Sequence, residues 1–281
     1  MWKHRLRSST RHFRTALGVL LAGAAFAAPA IVFAADEPQR IVSINLCTDQ
    51  VVLALEPGDR LAAVSYLARD PDLSTFWREA ETVPVIQASL EDIMTLEPDL
   101  VIAGSFGHSR LLGHVERLGV GVLRVPAAGS LADIRQTFLD VGALLGLSDR
   151  AADLVTEFDD ILGKAAQDTG RDAWILSPGL LVHGDGMLGS SILTHAGLSN
   201  APASQIYLSL ETLAMTPPDL LLISEREEAA PSRAGQLFAH PALQRAAKVQ
   251  RIPPSALICG TLETAQLAAR LAAQSAGEMA P

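Results

Sequence analysis

One sequence element occurs twice in this chain of 281 residues, and the two copies lie 120 positions apart. The first copy reads Ser89-Leu90-Glu91-Asp92-Ile93 and continues as Pro98-Asp99-Leu100-Val101-Ile102-Ala103-Gly104. The second reads Ser209-Leu210-Glu211-Thr212-Leu213 and continues as Pro218-Asp219-Leu220-Leu221-Leu222-Ile223-Ser224. In each copy a serine can cap a short helix, an acid stands in its first turn, a proline ends it and an apolar strand follows. Two copies predict two equivalent α/β lobes, since a solenoid needs more repeats.

Strand-like and helix-like segments alternate around both copies. Apolar and β-branched segments predict buried strands at residues 40–44, 61–65, 120–125, 174–177, 180–182 and 220–224. Helical spacing or Ala/Leu-rich composition predicts helices at residues 51–55, 192–196 and 262–273. This alternation favours parallel α/β units over a sandwich or a helical bundle.

A longer helix is predicted in the middle of the chain. It begins at the capping pair Ser148-Asp149, continues with apolar residues at helical spacing and ends near Asp168, before Gly170. About twenty residues would span roughly 30 Å, the size of a small domain. We therefore expect a first lobe at 35–147, a connecting helix at 148–169 and a second lobe at 170–281. An ordinary crossover helix within one sheet is the alternative.

The first 34 residues have the composition of a secretory signal peptide. Five basic residues open the segment, no acid precedes Asp36, and the apolar run from Ala16 to Ala34 ends in small or apolar residues. We expect cleavage after Ala34. An uncleaved membrane anchor is the alternative, although Pro29 interrupts the run. No cysteine follows closely enough to indicate a lipoprotein.

The exported chain is strongly acidic. Without the five basic residues of the signal it has 17 basic and 31 acidic residues, a net charge of −14. This charge argues against nucleic acid and anionic membranes as partners, but not against a basic protein surface.

Two cysteines, Cys47 and Cys259, are present. Export would place them in an oxidising compartment where a disulfide persists, and a bridge would tie the beginning of the chain to its end. Spacing alone does not decide between this bridge and two separate thiols.

Glu91 and Glu211 occupy the same position in the two copies. An exposed acid at a helix start stabilises the helix by ~0.3–1 kcal/mol, and this structural role is one explanation of the pair. The alternative uses symmetry, because one acid on each lobe would present two matched anchors to a two-fold symmetric partner.

The Ser-Leu-Glu-Asp-Ile run with its Glu-Pro-Asp-Leu-Val-Ile-Ala continuation resembles the periplasmic binding proteins of ABC importers for iron–siderophore, haem and cobalamin. The similarity covers most of the chain after the signal. Supporting segments are the strand and loop from Arg40, Leu118-Gly119-Val120-Gly121-Val122, and Gly184-Asp185-Gly186 with Ile192-Leu193, Ala196-Gly197 and Asn200. The Asn45-Leu46-Cys47-Thr48-Asp49 segment looks like the signature of a subgroup found near outer-membrane receptors for metal chelates.

The resemblance implies a class III periplasmic binding protein: an α/β fold of two Rossmann-like lobes with central parallel sheets, joined by one long rigid helix. It implies a periplasmic, non-enzymatic and monomeric importer component that holds a metal chelate between the lobes without a cofactor. The chelate would be cobalamin or another corrinoid, a ferric siderophore or haem. The implied partner is an ABC permease dimer with its ATPase subunits, whose arginines would bind Glu91 and Glu211.

Strand ends and loops supply the candidate ligand-binding residues, since ligands of α/β sheets bind at the carboxyl ends of strands. In the first lobe they are Asn45, Cys47, Thr48, Tyr66, Arg69, Ser105 and Phe106. In the second they are His183, Asp185, Met187, Tyr207, Glu225, Arg226 and Cys259. The two tyrosines could cover a planar ligand, the arginines could pair with its carboxylates, and His183 could be an axial ligand to a porphyrin or corrin. Packing residues, internally paired arginines and a loop histidine are the corresponding structural alternatives.

Two other functions compete with chelate import. A chelatase or lyase on the same scaffold would need a catalytic constellation, and no nucleophile–base pair, phosphate loop or carboxylate pair stands out. A protein for free metal ions would be expected to cluster histidines with carboxylates, and the histidines are scattered. We therefore expect no metal site built from protein ligands alone.

Overall fold

The computed structural model describes residues 37–200, 207–224, 240–241 and 248–277. The expected signal peptide and the candidate residues Glu225 and Arg226 lie outside this range. None of the described helices combines the length and the apolar character needed to cross a membrane.

The first lobe is built on a five-stranded parallel sheet. Its strands are β1 (Ile41–Ser43), β2 (Leu61–Ser65), β3 (Val85–Ile86), β4 (Leu100–Gly104) and β5 (Gly121–Val125). They lie in the order β3-β2-β1-β4-β5, and every neighbouring pair is parallel. The lobe also contains α1 (Leu46–Leu55), α2 (Leu90–Thr95), α3 (Ser109–Arg117) and α4 (Leu131–Leu144). The strand order reverses between β1 and β4, where open α/β sheets bind their ligands.

The connecting helix α5 (Ser148–Leu162) is shorter than predicted. It has 15 residues, which span roughly 22 Å. It ends at Gly163, whose φ of 63° is in the left-handed region that favours glycine. The predicted extension to Asp168 is therefore wrong, because the apolar periodicity that motivated it continues past the glycine that ends the helix.

The second lobe carries a four-stranded sheet. Its strands are β6 (Ala173–Ser177), β7 (Leu181–Val182), β8 (Leu220–Ser224) and β9 (Lys248–Ile252), in the order β7-β6-β8-β9. Strands β6, β8 and β9 are parallel, and β7 is antiparallel to β6. The described helices are α6 (Leu188–His195), α7 (Leu210–Met215), α8 (Ser255–Ile258) and α9 (Leu262–Gly277). The predicted class of two α/β lobes with parallel sheets is confirmed, with one antiparallel edge strand added.

The helix starts of the repeat have the same geometry in both lobes. The Ser89 hydroxyl accepts a hydrogen bond from the Asp92 N–H at 3.0 Å, and the Ser209 hydroxyl accepts one from the Thr212 N–H at 3.0 Å. Each serine therefore satisfies a backbone donor that the first helical turn leaves unpaired.

The aspartate of each Pro-Asp pair in the repeat binds the backbone just before the neighbouring strand. The Asp99 carboxylate accepts from the backbone N–H groups of Gln39 and Arg40, at 2.6 and 3.0 Å, just before β1. The Asp219 carboxylate accepts from the Asp172 N–H at 2.9 Å, just before β6. The same residue type thus aligns the central strand pair of each sheet.

One hydrophobic core continues from the first lobe through α5 into the second. It includes Val52 of α1, Phe138 of α4, Phe158 of α5, Ile175 of β6 and Leu267 of α9, each at most 2% exposed. Burying a side chain of this size contributes ~1.5–3 kcal/mol, so separating the lobes at this core is costly. The core therefore holds the two lobes together along α5.

The polar segment after β1 is a helix start rather than a loop. Asn45 is the N-cap of α1, and helix α1 begins at Leu46, five residues before the predicted helix. The Asn45 side-chain oxygen accepts from the N–H groups of Cys47 at 3.0 Å and Thr48 at 3.4 Å. Asparagine capping explains why residues that resemble a loop in sequence continue directly into the helix.

Candidate functional site

A cavity lies between the lobes at the reversal point of the first sheet. Its enclosed volume is about 100 Å³, and it opens to solvent. Its walls come from the start of α1, the loops after β4 and β5, helix α4 and the turn before α9. The lining residues are Asn45, Cys47, Thr48, Val51, Gly104, Ser105, Phe106, Val125, Pro126, Ala127, Ala128, Ile134, Thr137, Phe138, Cys259 and Gly260.

The start of α1 provides polar groups along one wall. Thr48 is 1% exposed, and its hydroxyl donates to the Asn45 carbonyl at 2.9 Å and lies 2.8 Å from the Ser43 hydroxyl. Because the capping bonds hold the Asn45 side chain and these contacts hold Thr48, both are pre-organised before a ligand arrives.

A disulfide between Cys47 and Cys259 forms part of the lining. Its Cα atoms are 4.7 Å apart although the residues are separated by 212 positions. Cys47 belongs to the first turn of α1 and Cys259 follows α8, so the bond joins the first lobe to the second. The sequence leaves open whether the two cysteines are bonded or are separate thiols, and in the structure they are bonded.

The rest of the lining is mainly apolar and carries no charged side chain among its described residues. Phe106 follows β4 and is 81% exposed at the mouth of the cavity. Ile134 and Phe138 of α4 contribute apolar surface at the wall, and both are at most 2% exposed. A ligand in this cavity would meet apolar groups, hydroxyls and one amide rather than ionic groups.

Asp49 lies buried behind this wall, with no exposed surface. Its carboxyl oxygens are 3.2 Å from the Ser65 nitrogen and 2.5 Å from the Ser65 hydroxyl oxygen. Burial raises the pKa of Asp49 to about 7, although hydrogen bonds from Ser43 and Ser65 oppose the shift. A substantial fraction of this carboxyl is therefore neutral near pH 7.

His183 is a packed residue of the second lobe. It is 7% exposed, and its Nε2 lies 2.7 Å from the Ser177 hydroxyl, while Nδ1 has no hydrogen-bond partner. Burial lowers the pKa of His183 to about 4, so the ring is neutral near pH 7. The first turn of α6 covers the ring, because a Cβ added to Gly189 would lie 2.8 Å from Nδ1.

Six of the predicted ligand-binding residues line the cavity together: Asn45, Cys47, Thr48, Ser105, Phe106 and Cys259. The lining does not include six others that the structure describes: Tyr66, Arg69, His183, Asp185, Met187 and Tyr207. Tyr66 and Tyr207 are 53% and 68% exposed. Asp185 is exposed in the turn before α6, and half-buried Met187 precedes that helix.

The Arg69 side chain binds its own lobe. Its guanidinium donates to the carbonyls of Ala80, Glu81 and Val83, at 3.0, 3.3 and 2.7 Å. These bonds hold the segment before β3 in place and support the internally paired alternative for this arginine.

The contribution of the β5 loop and of α4 to the cavity was not predicted from the sequence. Pro126 to Ala128 follow a predicted strand, so the rule that selected the other strand ends selects them too. Helix α4 was not predicted, yet Ser130 caps it and Leu131, Ile134, Phe138 and Val141 repeat at helical spacing. Within the described chain, no group of three or more His, Cys, Asp or Glu side chains is placed to hold a metal ion.

Residues 41–252 match the family described as periplasmic binding protein. The chain belongs to this family. The predicted resemblance to the periplasmic binding proteins of the iron–siderophore, haem and cobalamin importers is thereby confirmed. It is a family of extracytoplasmic binding proteins.

This periplasmic binding protein is similar in sequence to individual relatives. It is 24% identical over 205 residues to an uncharacterised ABC transporter substrate-binding lipoprotein of Bacillus subtilis (strain 168), covering 67% of this chain and 64% of the relative. It is 24% identical over 229 residues to a cobalamin-binding protein of Halobacterium salinarum (strain ATCC 29341 / DSM 671 / R1), covering 75% and 60%. The chain therefore spans somewhat less than two thirds of these curated relatives.

Comparison with solved structures supports the class III fold. A periplasmic heme-binding protein from Pseudomonas aeruginosa has a TM-score of 0.65 and 25% sequence identity to this chain. The match covers 85% of this chain and 92% of that protein.

Proposed function

We propose that this periplasmic binding protein captures a metal chelate between its lobes and delivers it to the permease dimer of an ABC importer. The chelate is a corrinoid such as cobalamin, a ferric siderophore or haem. The observation that carries this proposal is the cavity at the reversal point of the first sheet, lined by apolar and uncharged polar side chains of the first lobe and by Cys259 and Gly260 of the second. Large organic ligands are bound by such linings, with a few polar groups that fix their orientation.

The lining favours a chelate over a free metal ion as the ligand. A bare cation needs several oxygen, nitrogen or thiolate ligands from the protein, whereas the two sulfurs in this lining are joined in the disulfide. A chelate brings its own metal ligands and presents an organic surface that Phe106 and its neighbours could contact. The names of the cobalamin-binding and heme-binding relatives support the same ligand class.

The lining also favours binding over catalysis. General acid–base chemistry requires a titratable side chain within reach of the substrate, and none of the described lining residues is a histidine, a carboxylate or a free thiol. We propose that the ligand leaves unchanged, and that the mature monomer acts in the periplasm after removal of residues 1–34.

Titration of purified residues 35–281 with chelates tests this function. The probes are cyanocobalamin, haemin, a ferric hydroxamate and a ferric catecholate, with Zn²⁺ and Mn²⁺ salts as the free-ion arm. We expect quenching of Trp77 and Trp174 that saturates at one equivalent of a chelate, after correction with free tryptophan for absorbed light. Mass spectrometry of the released ligand should recover it intact. Saturable binding of a metal salt alone, or a chemically altered ligand, would support the competing functions.

A further inference from the structure

The lobes are joined covalently at one side of the cavity. The Cys47–Cys259 disulfide connects the first turn of α1 with the segment that leads into α9. Cys259 is 8% exposed. Neither end of the bond can move away from the other without moving α1 relative to α9.

A chain of hydrogen bonds continues this connection. Gln50 lies one turn after Cys47, and its side-chain oxygen accepts from the Thr75 N–H at 2.8 Å. The Thr75 hydroxyl lies 3.2 Å from the Thr261 hydroxyl and donates to the Glu263 carboxylate at 3.1 Å. We call the disulfide together with these contacts the disulfide seam.

A second contact between the lobes has no covalent bond. The Leu131 N–H donates to the Ser191 hydroxyl at 3.1 Å. Gly129, in the loop before α4, faces the turn before α6 so closely that an added Cβ would lie 2.6 Å from the Gly186 carbonyl oxygen. We call this the loop contact. Its hydrogen bond contributes ~0.5–1.5 kcal/mol, and Leu131 and Leu188 are both buried in the core that continues through the two lobes. No covalent bond crosses the loop contact, so it can separate at a finite cost while the disulfide cannot.

We propose that the Cys47–Cys259 disulfide is a tether that limits how far the lobes separate, so that the cavity opens chiefly at the loop contact. The tether holds α1 and α9 together at the cavity wall whether or not a ligand is present. Loss of the bond leaves only hydrogen bonds at the seam, and the lobes separate further. Where it concerns ligand release this inference rests on the proposed function, but the range of lobe opening is a property of the ligand-free protein.

Distances between the lobes of the ligand-free protein test the tether directly. Spin labels attached to unnatural amino acids at Glu91 and Glu211, one on each lobe, leave the native cysteines intact. In the Cys47→Ser/Cys259→Ser double variant we expect the distance distribution to broaden and shift to longer values. Thr75→Val, which removes the hydroxyl contacts but keeps the disulfide, should resemble the wild type. Superimposable distributions for the wild type and the double variant would overturn the proposal.

Hydrogen exchange on the wild type provides a second test that does not depend on how well the variant folds. Reduction of the disulfide by a phosphine should speed amide exchange at the loop contact, in residues 126–131 and 184–191, while β1 and β4 stay protected. Unchanged exchange at the loop contact after complete reduction counts against the tether. If a chelate binds, the double variant should also release it on the order of tenfold faster, since changes of affinity appear mostly in the off-rate. If the protein binds no chelate but its lobes separate further on reduction, the proposed function is wrong and the tether proposal still holds.

Discussion

Replacing Glu91 and Glu211 together by arginine is expected to abolish ligand-dependent uptake while ligand affinity stays unchanged. Both side chains are exposed in the first turn of a short helix, and both helices are capped in the same way by the preceding serine. Neither residue lines the cavity. If each acid binds a basic residue of the permease dimer, two reversals turn two attractions into repulsions, which cost several kcal/mol at an interface.

The expected loss of uptake is separable from a loss of folding. A helix-start acid contributes only ~0.3–1 kcal/mol to stability, so the variant should remain folded. Each single reversal should reduce uptake partially. A matched control reverses Asp153 and Glu157, two exposed acids of α5, and so changes net charge equally. Normal uptake by the Glu91/Glu211 variant, or an equal loss of uptake in the control, would contradict a docking role for this pair.

The Asp49→Asn variant is expected to become more stable relative to the wild type as the pH rises from about 4 to 7. Asp49 has its pKa raised from 3.8 to about 7 in the folded protein. The folded state therefore binds this proton more tightly than the unfolded state does, and the stability it contributes is complete below pH 3.8 and lost as the pH rises through 7. Between these pH values the free energy of unfolding of the wild type should fall by about 1.4 kcal/mol per pH unit relative to that of Asp49→Asn. Asparagine cannot ionise, yet it can still accept from the Ser65 N–H and donate to its hydroxyl.

Urea unfolding at several pH values measures this difference, and His183→Gln provides a comparison of opposite sign. Burial lowers the pKa of His183 from 6.5 to about 4, so its contribution is complete above pH 6.5 and lost as the pH falls through 4. The two groups oppose each other in the wild type between pH 4 and 6.5. In a variant that lacks one of these two groups, the pH dependence of the free energy of unfolding should therefore follow the other group. Parallel stability curves for the wild type and Asp49→Asn would contradict the buried neutral carboxyl.

The repeat predicted the architecture because its signals are local. Serine caps, proline stops and apolar strands depend on neighbours within a few positions, and the structure shows equivalent caps at Ser89 and Ser209. The end of α5 was predicted wrongly where two local signals disagreed. Apolar periodicity continued to Ala165, but Gly163 leaves the helical conformation first.

The cavity was predicted only in part because its composition depends on long-range contacts. The rule of strand ends selected Asn45, Ser105 and Phe106, which line the cavity, whereas α4 enters the wall through packing that the sequence does not display. The Cys47–Cys259 bond depends on an approach of Cα atoms across 212 positions, which only the assembled fold determines. The bonds of Arg69 to three carbonyls likewise depend on a neighbouring segment.

The most direct measurement of the central claim is the chelate affinity of Phe106→Ala compared with Leu118→Ala. Phe106 is 81% exposed at the cavity mouth, and Leu118 is 57% exposed outside the lining, so neither truncation disturbs the core. An aromatic pair contributes ~0.5–1.5 kcal/mol beyond the area that it buries. We predict that Phe106→Ala weakens binding of the chelate about tenfold while Leu118→Ala binds as the wild type does. Equal affinities of all three proteins for the bound chelate would contradict the placement of its site in this cavity.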